Sequence, residues 1–507
     1  MQTTKTGIYW LGNDLRLHDN ACLKAAAESV DHLLIVYCLD PAMLAPGSYQ
    51  ALRMGGHRLR FLIESLQAMD KALRQYGQQL AVFSQHPLVV LPRLIEHYKP
   101  SHIFRSLHHT IDEQRQWQQV RTEVERARAG QYSDERLYQQ PSQWCEMDNL
   151  TVFSRQQIES ITGLDFFNPQ AQPKSARFPK SFSQFRQQID RAVKKDPLVI
   201  PPPVEIDLSL PKPVPISPQT FNSLSDILVD ELDALLPSDD KGQNTDQSTS
   251  TYQFAGGEEQ GLAHLGKYFA DQKAHHYKSV RNELAGWDNS TKLSAWLANG
   301  CLSVREVLAS LHRFEQHSGK TESSYWIYFE LLWREYFYWY ALHYKQRLFA
   351  FDGIEQRRPL TSYYPQRYKS WTTGTTEYAL VNACMRELNS TGYLSNRGRQ
   401  IVASCFVNEL ELDWRFGAAY FEQQLIDYDA AVNWGNWQYL AGVGADPRSA
   451  SQGAASGRHF DLDKQQQRYD ADGSYRNQWL NPEDKHSASN VTVMRDFVDA
   501  ADWPISG

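Results

Sequence analysis

The chain opens with short, unbroken apolar runs that alternate with longer segments whose apolar positions recur every three or four residues. Residues 8–11, 33–39, 80–83 and 101–104 read as strands, the second closing on Asp40-Pro41. Between them, residues 20–29 are Ala-rich, 55–76 carry Leu59, Leu62, Ile63, Leu66 and Met69 at helical steps, and 89–98 continue the helical pattern. Apolar strands alternating with amphipathic helices predict a parallel sheet covered on both faces, a doubly wound α/β domain over residues 1–135.

The pattern then changes twice. Residues 136–260 include Pro201-Pro202-Pro203, a Pro-rich stretch at 211–218 and a polar stretch at 238–250, which together read as a long, partly irregular connection. From residue 261 to 485 helical periodicity dominates and predicts an all-α domain, followed by a short tail at 486–507. Thr321-Glu322-Ser323-Ser324 is an N-cap cluster, after which Phe329, Leu332, Trp333, Tyr336, Phe337 and Tyr340 recur as one broad aromatic face. Such a face is core by default. Glu330 interrupts it, and a carboxylate there needs solvent or a partner.

Composition adds limits. At 507 residues the chain is long enough for two or three domains, and 41% hydrophobic residues with 14 Trp supply large cores. A net charge of -7 argues against nucleic-acid binding by bulk charge, while leaving room for a local basic groove. The six cysteines are scattered with no Cys-x-x-Cys pair, which argues against a zinc site or disulfide framework and fits a reducing compartment. Without a leader pattern or an apolar stretch of spanning length, the expectation is a cytoplasmic, monomeric protein with no membrane partner.

The candidate chemistry lies in the helical half. Asp427, Asp429, Asn433, Asn436, Trp434 and Trp437 fall in one short run, downstream of Asn396-Arg397-Gly398-Arg399 and Trp414. Carboxylates, amides, guanidiniums and indoles of this kind suit a flat, redox-active ligand with polar edges, such as a flavin. Two residues apart, Asp427 and Asp429 would face opposite ways on a helix, and Gly435 stands where a helix would be leaving, so both acids belong to a helix end or loop rim. Arg399 can neutralise one of them. A hydrogen-bonded loop anchoring two helices is the plain alternative. Residues 289–294, Asn-Ser-Thr-Lys-Leu-Ser, collect hydroxyls, a lysine and free N–H groups at a helix start that stops at Asn299-Gly300. They form either an anion site suited to a pyrophosphate or an ordinary N-cap. Neither a Gly-x-Gly-x-x-Gly turn nor a Walker loop occurs at a strand-to-helix junction, so a Rossmann-type cradle is not expected.

Residues 286–305, 330–335 (Glu-Leu-Leu-Trp-Arg-Glu), 391–400 (Thr-Gly-Tyr-Leu-Ser-Asn-Arg-Gly-Arg-Gln) and 427–439 resemble the photolyase and cryptochrome family over nearly the whole helical half. Asn13-Asp14-Leu15-Arg16 with Asp19-Asn20 resembles its N-terminal signature. Within the family, Tyr277 with Arg281-Asn282, the Asn-Arg-Gly-Arg-Gln run, Asn433 with Gly435-Asn436-Trp437 and Tyr439, Asp446-Pro447-Arg448, and Arg458-His459-Phe460 are most similar to the DASH cryptochromes.

The resemblance implies an FAD-binding enzyme, a lyase-type photolyase that splits cyclobutane pyrimidine dimers, preferentially in UV-damaged single-stranded DNA, by light-driven electron transfer. It implies that Tyr277, Ser290, Thr291, Lys292, Leu293 and Ser294 hold the FAD phosphates, and that Asn396 and Arg399 lie against the isoalloxazine with Arg399 paired to Asp427. Asp429 would sit at the pyrimidine edge and Asn433 near the reactive N5. Glu330 would donate to or stabilise the dimer, Trp333 would pack on a flipped pyrimidine, and Gln400 and Tyr439 would line the same pocket. Trp437 and Trp414 correspond to the inner and middle members of the family's tryptophan electron chain. Its surface member is replaced here by Thr361, with Tyr363 or Tyr364 nearby. Lys278, Arg281, Arg397, Arg448 and Arg458 would supply a basic rim for DNA.

The N-terminal half departs more from the family. Leu11-Gly12 replaces the usual Phe-Arg, and Asp112-Glu113 stands where a folate antenna (methenyltetrahydrofolate) would find its carboxylate, Glu113. A blue-light receptor built on the same flavin is the alternative function; the short run after Trp479-Leu480 weighs against it.

Overall fold

The computed structural model of the chain describes residues 4–131, 141–168, 178–196, 199–206, 209–215, 226–227, 229–236, 254–444 and 459–481. The four expected strands form as β1 (Thr6–Trp10), β2 (His32–Cys38), β3 (Leu80–Phe83) and β4 (His102–Ser106). They pair in parallel in the order β4-β1-β2-β3, with Ile8 opposite both Leu34 and Ile103. Because successive strand residues point to opposite faces, the sheet divides its apolar side chains between two cores. Tyr9, Leu33 and Ile35 pack with Leu59, Leu62 and Leu66 of the helix Gly56–Gln75 on one face. Ile8, Trp10, Leu34 and Val36 pack with Val90, Leu91 and Leu94 of the helix Pro87–Tyr98 on the other.

The stretch expected as connection supplies more than connection. β5 (Gln143–Met147) runs parallel to β4, β6 (Lys212–Pro213) lies beside β2, and β7 (Asp226–Ile227) pairs antiparallel with β3. β5 escaped notice because Gln-Trp-Cys-Glu-Met is a half-exposed edge strand with no apolar run. β6 ends on Pro213, a residue without an N–H that sheets tolerate at edges. The polar stretch at 238–250 and the tail at 486–507 lie outside the described residues.

The helical half is clasped to the sheet by the signature segment 13–20. Arg16 donates to Gly300 O at 3.1 Å and to Asn149 O at 2.6 Å, while Asp19 pairs with Arg305 at 2.9 Å. The Glu258 carboxylate accepts the backbone N–H groups of Leu17 and His18, both at 2.8 Å. Gly300 makes the close approach possible: its φ is +71°, and a Cβ there would lie 1.8 Å from Asn13 O. Farther along the interface, the fully buried Glu335 accepts from Val152 N, Phe153 N and Trp339 Nε1.

Glu335 belongs to the long helix Glu322–Tyr344, which starts in the expected place with a capping box between Thr321 and Ser324. Against this helix packs Ala430–Leu440, capped by Asp429. Gly435 does not end that helix, as its residue type suggested, but sits inside it, because any Cβ would stand 2.3 Å from Phe337 Cδ1. Among the described residues, no helix is long and apolar enough to cross a membrane.

Candidate functional site: a cavity in the helical half

The helices of the C-terminal half enclose a cavity of about 990 Å³. Its lining includes Tyr277 and Ser290 to Ser294, then Asn396, Arg399, Asp427 and Asp429, and also the half-buried Arg281, Glu330, Trp333, Arg397, Gln400 and Tyr439, which we take as its mouth. Segments far apart in sequence thus converge on one volume.

Residues 290–293 run as extended and turning backbone into the helix Ser294–Asn299. Lys292 takes a left-handed conformation (φ 52°), a strained choice for a residue with a Cβ, and its side chain is 3% exposed. Its ammonium lies 3.3 Å from Tyr393 Oη and 4.6 Å from that ring's centroid. A buried ammonium with the hydroxyls of Ser290, Thr291 and Ser294 makes a donor set suited to a diphosphate.

Arg399 lies 5.6 Å from the same Tyr393 centroid; its Nη2 donates to both Asp427 oxygens at 2.9 and 2.8 Å, and its Nε donates to Leu394 O at 2.8 Å. The acid is buried and both partners line the cavity, so the pairing satisfies the charge that burial would otherwise penalise. Asp429 is a loop-rim acid, as its spacing from Asp427 suggested. One of its oxygens caps Val432 N at 3.1 Å and the other accepts from Tyr338 Oη, which itself accepts from Arg334 at 2.7 Å. Asn396 opens the helix Asn396–Ser404, exposed to the cavity, behind the N-cap Ser395.

At the mouth, Glu330 accepts a charge-assisted hydrogen bond from Arg281. Burial pushes its carboxyl above the usual range, and Arg281 pulls it only part of the way back. Trp333 reaches the cavity with one face covered by Phe182 (centroids 3.9 Å apart, 13° between planes) and Tyr439 edge-on at 6.2 Å. Arg397 donates to Asn282 at 3.2 Å and lies 4.9 Å over the Tyr469 ring.

Some expected members stand elsewhere. Asn433 does not line the cavity: its amide donates to Ala418 O at 3.0 Å, while Val432 and Asn436 form that part of the wall. Lys278 stands off the cavity, paired with Glu322. Trp437 and Trp414 are buried behind the wall. Among the described residues the tryptophan ring packed on Trp437 is Trp371, at 6.3 Å, whereas Trp414 packs on Trp434 at 5.7 Å. Glu113 lies in the α/β domain, in the first turn of the helix Ile111–Gln131, where it accepts from the Thr110 hydroxyl. Arg448 and Arg458 lie outside the described residues. Sequence reasoning missed Trp326 and Tyr338. Trp326 stands one helical turn before Glu330 and shares its face, a spacing that could have revealed it; Tyr338 was lost in an aromatic run read as core.

The residues present fit FAD: a buried cation and hydroxyls for the diphosphate, and acids, an amide and a guanidinium for the edges of a flat heterocycle. The comparisons agree. Residues 326–497 match the model of the FAD-binding domain of DNA photolyase, and residues 7–153 match the DNA photolyase model. The chain is 41% identical to Cryptochrome DASH of Idiomarina loihiensis, over all of this chain and 98% of that one. It is 40% identical to Cryptochrome DASH of Vibrio parahaemolyticus, over 99% of this chain and 98% of that one. The solved cryptochrome of Synechocystis sp. superposes with a TM-score of 0.77 at 30% identity, covering 96% of this chain and 95% of that one. Convergent cavity, clasped α/β domain and full-length similarity lead to one assignment: the chain belongs to the photolyase and cryptochrome family, on its DASH cryptochrome branch.

Proposed function

We propose that this protein repairs cyclobutane pyrimidine dimers in single-stranded DNA under blue light, as a deoxyribodipyrimidine photolyase. The observation that carries the proposal is the composition of the mouth: Glu330, Trp333, Gln400 and Tyr439 line the same cavity as Asn396 and Arg399. When bound and reduced, FAD supplies a light-absorbing electron donor able to open a cyclobutane ring and take the electron back.

The chain's own residues do the rest. Arg399, held by Asp427 and Leu394 O, fixes one edge of the heterocycle, while Lys292 and the neighbouring hydroxyls hold the diphosphate. Glu330, its carboxyl raised from the usual range by burial and held by Arg281, is placed to meet a pyrimidine of the dimer. Trp333 and Tyr439 form apolar walls that exclude water from the dimer. Gln400 adds an amide that can pair with a base edge.

The strand preference follows from energetics. Turning a dimer out of a duplex costs about a few kcal/mol that a single strand largely avoids. A mouth closed by Tyr439 rather than a larger indole offers less stacking to offset that cost. Arg281 and Arg397 supply positive charge at the rim for backbone phosphates. A folate antenna at Glu113 completes the proposal; folate in the purified protein, lost on Glu113→Ala, tests it. The main test compares light-driven repair of one thymine dimer in a single strand and in its duplex. Faster repair of the single strand is expected, and equal rates overturn the preference.

A further inference from the structure

One guanidinium at the mouth serves two groups at once. Arg281 Nη1 donates to Glu330 Oε1, and the guanidinium carbon lies 4.3 Å from the centroid of the Trp326 ring. Glu330 and Trp326 are four residues apart in the helix Glu322–Tyr344 and so share a face. Arg281 comes from a different element, immediately after the short helix Tyr277–Val280. All three side chains line the cavity. The ion pair is sheltered but not sealed, with side-chain exposures of 19% for Arg281 and 31% for Glu330. Of the neighbouring basic residues, Lys278 pairs with Glu322 while its ammonium also lies 5.9 Å from the Trp326 centroid, and Arg397 lies over Tyr469.

We infer that Arg281 is a substrate-operated latch, in which a DNA phosphate takes the guanidinium from Glu330 and thereby uncovers the carboxylate and one face of Trp326 together. The exchange is chemically even, because a guanidinium binds phosphate and carboxylate in the same forked geometry. A planar indole freed beside a phosphate is a stacking platform for the adjoining base. The latch rests on the proposal that single-stranded DNA enters at this mouth, and it adds discrimination. Any strand must break the Arg281–Glu330 pair to use Arg281, but only a strand bearing a lesion gives Glu330 a new partner in return. Undamaged DNA is therefore held back by Glu330 acting through Arg281, which makes Glu330 a specificity determinant as well as a group that meets the dimer.

A double-mutant cycle tests this without reference to repair. Affinity for a fluorescein-labelled, undamaged oligothymidylate is measured by anisotropy at fixed salt for the wild-type holoprotein, Glu330→Gln, Arg281→Ala and the double variant, with Arg281→Gln replacing the alanine if that protein does not fold. Releasing the latch with Glu330→Gln should tighten binding about tenfold when Arg281 is present. That effect is about 1.4 kcal/mol. Without Arg281 the same substitution should change affinity no more than about twofold, the effect of removing a negative charge near a polyanion. Equal effects in both backgrounds overturn the latch while leaving DNA binding intact. If none of the four proteins binds the oligonucleotide, the latch and the DNA proposal fall together.

Discussion

Glu335→Ala should destabilise the protein by about 3–6 kcal/mol. The carboxylate is fully buried and accepts from Val152 N at 2.9 Å, Phe153 N at 3.2 Å and Trp339 Nε1 at 2.8 Å. Truncation orphans three donors at about 1–3 kcal/mol each, and a water admitted to the gap restores part of the loss. One effect opposes this. Burial raises the Glu335 carboxyl above its ordinary range, so removing the acid also relieves the desolvation of a charge. The net effect is still a loss, because in the variant the three donors stay buried without their acceptor. Urea unfolding followed by tryptophan fluorescence measures the change as a shift in midpoint at constant slope. Glu335→Gln, which keeps one acceptor oxygen, should lose less. A shift for the alanine variant below about 1 kcal/mol would mean that these donors find other partners, and the interface described here would be wrong.

Three further outcomes are expected. Burial pushes the Glu258 carboxyl up, but the His18 ring and the N–H groups of His18 and Leu17 outweigh it and hold the carboxyl below its usual range. Its stabilising effect is therefore present above the unfolded value of about 4.3 and lost as pH falls through the folded one. Glu258→Gln should lower stability at neutral pH and flatten its fall below about pH 4.3, read from urea midpoints across pH. Gly435→Ala places a Cβ 2.3 Å from Phe337, a cavity-lining ring, and should cost about 1–3 kcal/mol and lower flavin occupancy, read from the flavin-to-protein absorbance ratio. Trp437→Phe should slow photoreduction of the oxidised protein in transient absorption, with Trp371→Phe also slowing it because Trp371 is the indole in contact; an unchanged rate for Trp437→Phe removes that residue from the electron path.

Much of the architecture was legible because it rests on periodicity. The four central strands are built on short apolar runs, and the helix Glu322–Tyr344 announces itself with Thr321 and an aromatic stripe. β5, β6 and β7 were not legible, since edge strands need only one apolar face and two of these are two residues long. At the site, charge pairing was readable: a buried acid beside Arg399 needs that arginine, and the structure joins them. Gly435 was misread because a glycine that makes room for Phe337 and a glycine that ends a helix look identical in one sequence. Asn433 was placed by family resemblance, and only packing shows its amide turned to Ala418. The double engagement of Arg281 is a tertiary fact, since Tyr277–Val280 and Glu322–Tyr344 meet only in the fold.

The decisive experiment is to illuminate the purified protein, its FAD fully reduced, with a single-stranded oligonucleotide carrying one thymine dimer, and to count restored thymines against a dark control. Restoration in the light alone, much reduced in Glu330→Gln, is what the cavity's chemistry demands. No restoration by a protein whose flavin is fully bound and fully reduced would sink the repair proposal and turn the same cavity into that of a blue-light receptor.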